Sequence, residues 1–433
     1  MIDLPKSWRI KKLKYLFKYS LSSVDRHVHD EELNVHICHY PDVYYNENLN
    51  SVESLPTGTC TPNELEKFQV LSGDILITKD SVSHKEIGIP CLISANLENT
   101  VCGYHLGIIR RQSEIDPEYV FRFLQTDYAK GYFYCESLGV TRFGLGKPAV
   151  ENLKLPIPPL EEQRLIARYL DKRTGQIDAL TDKIQKKIEL LKKERISLIN
   201  QCVTKGLNPN VSMKDSGIEW IGGIPEHWKM KKLKYLFNYS LSSIDRHVHD
   251  EEISIYICHY PDVYYNEKID SVESLPIGTC TPDELEKFQV LSGDILITKD
   301  SESPEDIGVP CLISGSLENT VCGYHLGIIR RQPEMNSEYV FRFLQTDYTK
   351  GYFYCESSGV TRFGLGKHSV ENLKLPVPPL GEQRLISRHL DKKTGQIDAL
   401  IKKMQEKILL LSEYRQSLIS SVVTGKVKLT EKI

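Results

Sequence analysis

Residues from Trp8 to about Thr204 recur from Trp228 to about Thr424 at a constant offset of 220 positions, without one gap. Between residues 11 and 200 about 149 of 190 positions match their counterparts, so the chain is one long unit written twice and not a short-period solenoid. Whatever the unit folds into, the molecule holds two of it. That agrees with a length of 433 residues, too great for one ordinary core.

Each copy has two parts of different character. The first, from Trp8 to about Leu155, mixes short β-like runs (Gly73–Thr78 and Leu106–Arg110) with one helical stretch, Pro117–Leu124. That pattern predicts an α+β globule. After Pro156-Ile157-Pro158-Pro159 the chain turns polar and helical for about 45 residues, roughly 65 Å if continuous. Ile177, Ile184, Leu191 and Leu198 fall seven apart there, with Leu180 and Ile188 expected in the alternate seam. Ile397, Met404, Leu411 and Leu418 repeat the spacing in the second copy. A stripe this long needs a long partner, and the other copy's helix supplies one as a coiled coil. Between the copies, Lys205–Asn210, Asp215-Ser216-Gly217 and Gly222–Pro225 break both helix and strand patterns and mark a linker.

The expected segments are a globule over 1–157, a helical region over 158–206, a linker over 207–224, a second globule over 225–377 and a second helical region over 378–433. The expected architecture is two duplicated α+β globules, each followed by a long helix. The helices pair as an antiparallel coiled coil with pseudo-twofold symmetry, which places the globules at opposite ends. Duplex DNA has the same kind of axis, so a stiff helix pair would act as a ruler between two reading heads.

Composition narrows little. A net charge of −3 gives no global support to polyanion binding, so contacts with DNA must use local basic patches. The N-terminus lacks the apolar core of a signal peptide and no apolar run approaches the roughly 18 residues that span a bilayer, which points to the cytoplasm and away from any membrane. Eleven scattered cysteines in apolar strand-like settings read as reduced and buried.

Pro156–Ile166 followed by Leu170–Leu180 resembles the helical region of type I restriction-modification specificity subunits, and it occurs twice, as in that family. Gly217–Trp228 and Val422–Val427 resemble it as well, so the likeness runs over the whole chain. The resemblance implies a non-enzymatic subunit whose globules, the target-recognition domains, choose the DNA sequence. It also implies helices that hold two modification (methyltransferase) subunits, with two restriction (translocase/nuclease) subunits in the full complex. The family's two domains commonly differ and read an asymmetric site. Here they are almost the same, which predicts two inverted half-sites separated by a fixed spacer.

Catalytic parts are not expected. No Asn/Asp-Pro-Pro-aromatic motif is present, and Phe143-Gly144-Leu145-Gly146 misses the glycine spacing of a methyl-donor loop. Gly144–Lys147 lacks the upstream Gly and following Ser/Thr of a P-loop. Pro41-Asp42 is not followed by a nuclease-type Glu-x-Lys. His27, His29, Cys38 and His39 match no usual zinc spacing. No cofactor, metal or catalytic residue is therefore assigned.

Reading DNA requires Lys/Arg for phosphates and bidentate Arg, Lys, Asn or Gln for base edges. Three segments qualify: the polar loop with Ser22, Ser23, Arg26, His27 and His29; Lys79 and Ser81 after a strand; and the Gly-rich cationic loop with Thr141, Arg142 and Lys147. Their counterparts are Ser242, Ser243, Arg246, His247, His249, Lys299, Ser301, Thr361, Arg362 and Lys367, identical in type. Tyr40, Tyr44 and Tyr45 read either as strand core or as rings offered to bases, and Tyr44 with Tyr264 is kept as a candidate. Arg110-Arg111 closes a strand facing solvent. Positions that differ between copies, His36/Tyr256 and 82–85/302–305, are poor candidates for base reading. The contrasting expectation is a coiled-coil scaffold whose globules bind protein, which footprinting would separate from DNA recognition.

Overall fold

The computed structural model describes residues 5–25, 27–244 and 248–429. The candidates Arg26, Arg246 and His247 lie outside the described residues.

Twelve strands and five short helices build the described first globule. The strands are β1 Arg9–Lys12, β2 Phe17–Leu21, β3 Leu33–Cys38, β4 Asn48–Leu49, β5 Thr57–Cys60, β6 Ile75–Thr78, β7 Asp80–Ser81, β8 Pro90–Ile93, β9 Thr100–Cys102, β10 Leu106–Arg111, β11 Phe143–Gly144 and β12 Lys154–Ile157. The helices are α1 Tyr40–Tyr45, α2 Pro62–Phe68, α3 Pro117–Leu124, α4 Asp127–Glu136 and α5 Lys147–Asn152. A central sheet runs β2-β10-β6-β8-β4 and a smaller one runs β5-β3-β9.

Successive side chains of a strand point to opposite faces, and here both faces of the central sheet are covered. Ile75, Ile77 and Ile109 join a core made with α3, α4 and the long helices, while Leu76, Leu106 and Ile108 join a second core against the smaller sheet. This is why β6 and β10 read as unbroken apolar runs. Helix α3 starts where Asp116 caps it, its carboxylate accepting from the Tyr119 amide at 2.9 Å. Everything in it from Tyr119 to Leu124 is buried. The second globule repeats these elements, with central strands Phe237–Leu241, Leu326–Arg331, Ile295–Thr298, Pro310–Ile313 and Lys268–Ile269 in the same order.

Two long helices follow the globules: α6, Leu160–Lys205, of 46 residues, and a second over Leu380–Val423, of 44. Neither they nor any other described helix is long and apolar enough to cross a membrane. The chain divides into two compact units that cut across these helices. One unit holds residues through Ile184 together with those from Gln405 onward; the other holds Gln185–Met404. Each globule is thus completed by the first half of its own helix and the last half of the other copy's.

In the first unit Ile166 and Leu170 of α6 share a core with Ile419, Val422 and Val423. The Tyr119 hydroxyl donates to the Pro156 carbonyl at 2.7 Å and the Val423 carbonyl at 3.2 Å. In the second, Ile386 and Leu390 share a core with Ile199, Cys202 and Val203, and Tyr339 donates to Pro376 and Val203. Within each unit the two helix halves run antiparallel, with Asp178 meeting Arg415 in one and Asp398 meeting Arg195 in the other.

The seam differs from expectation at one position. Ile177, Ile184 and Leu191 are buried and Leu198 half-buried, while Ile397, Met404, Leu411 and Leu418 are half-buried. Leu180 is 38% exposed. Alternating steps of four and three carry the seam from Ile177 through Thr181 to Ile184, so Leu180, one position short, points outward.

Three further expectations need correction. The linker contains a hairpin, Met213–Asp215 paired with Gly223–Pro225, which sends Ile221 of its turn and Ile224 of its second strand into the second unit's core. Cys135 and Cys355 are exposed, on an outward face of α4 and its counterpart, whereas the other nine cysteines are buried. Arg110 does not simply face solvent: its guanidinium grips the buried Asp74 carboxylate with contacts of 2.9 and 2.6 Å.

A four-residue ion network ties each globule to its helices. Arg122, 7% exposed, reaches Glu47 at 3.1 Å and Asp171 at 3.4 Å, and Arg415 reaches the same Glu47 at 2.8 Å. Burial works to raise the Glu47 carboxyl, but the Arg415 and Arg122 guanidiniums outweigh it and hold it below the usual carboxylate range. Arg342, Glu267, Asp391 and Arg195 repeat the network in the second unit. Since Glu47 is nearly half exposed, the charge contribution is discounted, yet Arg122→Ala also empties a packed space beside Phe121. The expected cost is about 2–3 kcal/mol, checked by urea unfolding of the variant against the parent chain.

Candidate nucleic-acid interface

The short ladder between β7 and β11 decides which candidates meet. Ser81 lies opposite Phe143 and Asp80 opposite Gly144, bringing the loop after β6 against the Gly-rich loop before α5. Leu145 reinforces this by donating its amide to the Lys79 carbonyl at 2.7 Å. The β6–β10 register then places His105, just before β10, beside the same ladder.

At that junction Asp80 receives two partners. Nδ1 of His105 stands 2.6 Å from its carboxylate, and Nη2 of Arg142 stands 3.2 Å from the same oxygen. Arg142 remains 57% exposed. A guanidinium carries five donors in a planar fork, so one carboxylate contact orients it and leaves most of the fork for an incoming acceptor. The second globule repeats the arrangement with a looser arginine: His325 lies 2.5 Å and Arg362 3.6 Å from Asp300.

Lys79 is more confined. Its ammonium donates to the Ser22 carbonyl at 3.0 Å and stands 4.2 Å from the centre of the Tyr104 ring. Burial pushes its pKa down, as it does for Lys299 over Tyr324. Ser22 and Ser81 are buried, with hydroxyls spent inside the fold: Ser22 donates to the Cys102 carbonyl and Ser81 to Glu86 at 2.5 Å. Ser242 and Lys299 make the same internal contacts, while Ser301 accepts from the Tyr260 hydroxyl at 3.3 Å. These residues hold the loops in place, and Arg142 is what they present.

The remaining candidates sit apart from this centre. Ser23 donates to Glu64 at 3.2 Å, and His27 and His29 are exposed with their amides bonded to Asp25 and Thr59. Ser243 and His249 are likewise exposed. Thr141 and Thr361 are exposed on the Gly-rich loops. Lys147 and Lys367 begin short helices and lie 3.6 and 3.7 Å from Glu151 and Glu371. Tyr44 belongs to α1, not to a strand: Pro41 and the Asp42 carboxylate, which accepts from the His39 amide at 2.8 Å, start a helix there. Tyr40 and Tyr44 therefore stack one turn apart with ring centres at 5.6 Å, and Tyr45 is 78% exposed. None of the three is core. Tyr264 stacks on Tyr260 in the same way and donates to Asp306 at 2.8 Å.

Sequence reasoning placed Asp80 within the Lys79–Ser81 loop without its anchoring role, and missed Tyr104 and His105 as members of the cluster. The agreement between copies that singled out Lys79 also held for Tyr104-His105, which recur as Tyr324-His325. Their surroundings are an exposed guanidinium, a shielded ammonium, an imidazole and a half-exposed tyrosine ring on loops held by sheet. That set can bond acceptors and stack on flat rings, and it holds no arranged nucleophile with a base. Among the described residues no three His, Cys, Asp or Glu side chains gather to hold a metal ion.

Comparison with known proteins gives the same picture twice over. The model for the type I restriction modification DNA specificity domain matches residues 5–190 and again 225–410. The putative type I restriction enzyme MjaX specificity subunit of Methanocaldococcus jannaschii is 23% identical over 440 residues, covering 98% of this chain and 95% of that one. The EcoKI specificity subunit of Escherichia coli K12 is 21% identical over 367 residues, covering 84% and 76%. Among solved structures, a chain from work on complex assembly and conformational transition of the type I R-M system superposes with a TM-score of 0.74 at 16% identity, covering 98% of this chain and all of that one. The HsdS subunit of Thermoanaerobacter tengcongensis superposes at 0.54, also at 16% identity.

Proposed function

The chain belongs to the type I restriction-modification DNA specificity family, and from that premise we propose that it directs adenine methylation and restriction to a bipartite, palindromic DNA site. It is a sequence-specific DNA-recognition subunit and not itself an enzyme. Methylation comes from two modification subunits and cleavage from two restriction subunits, assembled on it in the cytoplasm.

One observation carries the palindrome. The side chains of both heads are the same where contacts with bases would form: the exposed Thr141-Arg142 and Tyr104 match Thr361-Arg362 and Tyr324, and the half-buried His105 matches His325. Identical donors on identical loops select identical bases. The twofold relation expected when two copies of one helix pair antiparallel favours inverted over direct repeats. Genome-wide mapping of methylated adenines in the host is the test. It is expected to return two half-sites that are reverse complements across a fixed spacer, and an asymmetric recognition sequence would refute the reading.

A further inference from the structure

The two heads are not equal in charge next to the cluster. The turn that leaves Ser81 reads Val82-Ser83-His84-Lys85-Glu86 in the first head and Glu302-Ser303-Pro304-Glu305-Asp306 in the second. Positions 82, 85, 302 and 305 are all exposed. Val82 against Glu302 changes one charge and Lys85 against Glu305 changes two, so the second turn is three units more negative. No other five-residue window beside the cluster departs this far: Leu76–Ser81 and Gly139–Lys147 are identical to their counterparts.

The turn is coupled to the arginine loop. In the first head the His84 ring packs on Phe143, with ring centres 3.3 Å apart, and its Nδ1 lies 2.8 Å from the Ser137 hydroxyl. Phe143 directly follows Arg142 and pairs with Ser81 across the ladder. In the second head Pro304 stands in that place, with no side-chain nitrogen to bond the Ser357 hydroxyl and no imidazole ring to lay on Phe363. The shorter Asp306 bonds the Tyr264 hydroxyl, where Glu86 bonds Ser81 and the Tyr40 hydroxyl.

We propose that this turn sets the strength of each head without changing the bases it reads. The first head, with Lys85 and the His84–Phe143 contact, grips phosphates beside its half-site. The second, with Glu302 and Glu305, repels them and is the weaker partner in a symmetric site. This rests on the DNA-recognition reading above. Phosphate contacts add affinity and salt dependence with no sequence information, which is the behaviour required of a position that differs while the base-facing loop does not.

Reciprocal exchange in the full-length chain tests it, on a duplex carrying the mapped site. The variant E302V/E305K is expected to bind about tenfold more tightly near physiological salt, with the slope of log K against log salt steeper by roughly one to two. The variant V82E/K85E is expected to move both quantities by similar amounts in the opposite direction. An equal three-charge change in the linker, D215V/E219K, leaves the slope where it was. Specific binding that persists with unmoved slopes in both exchanges overturns this inference alone. If the parent chain shows no sequence-dependent binding, both the inference and the reading beneath it fall.

Discussion

Replacing Ile419 by alanine, in the last helix of the chain, is expected to loosen the first recognition head and leave the second intact. Ile419 is fully buried in the core that holds Phe17, Ile75 and Tyr119, residues hundreds of positions earlier. Removing a buried isoleucine side chain down to alanine costs about 3 kcal/mol, from lost transfer energy and the cavity left behind. For a unit of this size that lowers the unfolding midpoint by roughly 6–12 °C. Ile199→Ala, at the matching place in α6, is expected to loosen the second head instead. Hydrogen exchange read peptide by peptide distinguishes the outcomes: protection should fall within residues 5–184 for the first variant and within 185–404 for the second. Loss of protection in the head preceding the mutated helix would show the assignment of helix halves to be wrong.

The double variant Arg142→Ala with Arg362→Ala is expected to cut sharply the discrimination between the specific site and random duplex. A good bidentate pair with a base contributes about 1–3 kcal/mol, and two symmetric losses combine to a fall on the order of 100-fold or more in specific affinity. Non-specific binding, carried by phosphate contacts elsewhere, should fall far less. Competition binding against scrambled duplex measures the ratio directly. Lys147→Ala with Lys367→Ala is the contrast: both ammoniums already face glutamates one turn away, and the ratio should stay within a few-fold of the parent chain. Equal effects of the two pairs would remove Arg142 and Arg362 from the centre of the interface.

Much of this architecture was legible before any coordinates, because duplication and helical periodicity are properties of order along the chain. Helix α3 occupies Pro117–Leu124 as the pattern indicated, and the long helix begins within a few residues of the Pro-Pro pair. Local pattern failed where a decision depended on distant neighbours. Leu180 looked like a seam residue until the four-and-three stepping placed Thr181 there. Tyr40 and Tyr44 suggested strand core, while a proline and an aspartate cap made a helix. At the interface, Lys79 and Arg142 stood out as cations on loops, but the reason one is shielded and the other presented lies in Tyr104, His105 and Asp80. Those join the loops only through the β7–β11 and β6–β10 pairings, which no spacing rule reveals. The Glu47–Arg415 pair is the extreme case, linking the first globule to the last helix of the chain.

The crosswise use of the two long helices also fixes the molecularity of folding. A polypeptide ending near Gly206 would carry Ile199, Cys202 and Val203 with their core places in the other unit, and would lack the Ile419, Val422 and Val423 that close its own. Two such halves could complete each other, and only at a concentration high enough to meet. Joining them through residues 207–224, part of which packs on the second unit, turns that encounter into an intramolecular step independent of protein concentration. Written as one chain, the pair forms from a single ribosome's product however scarce the protein is, and its two halves can carry different residues, as the turns after Ser81 and Ser301 do.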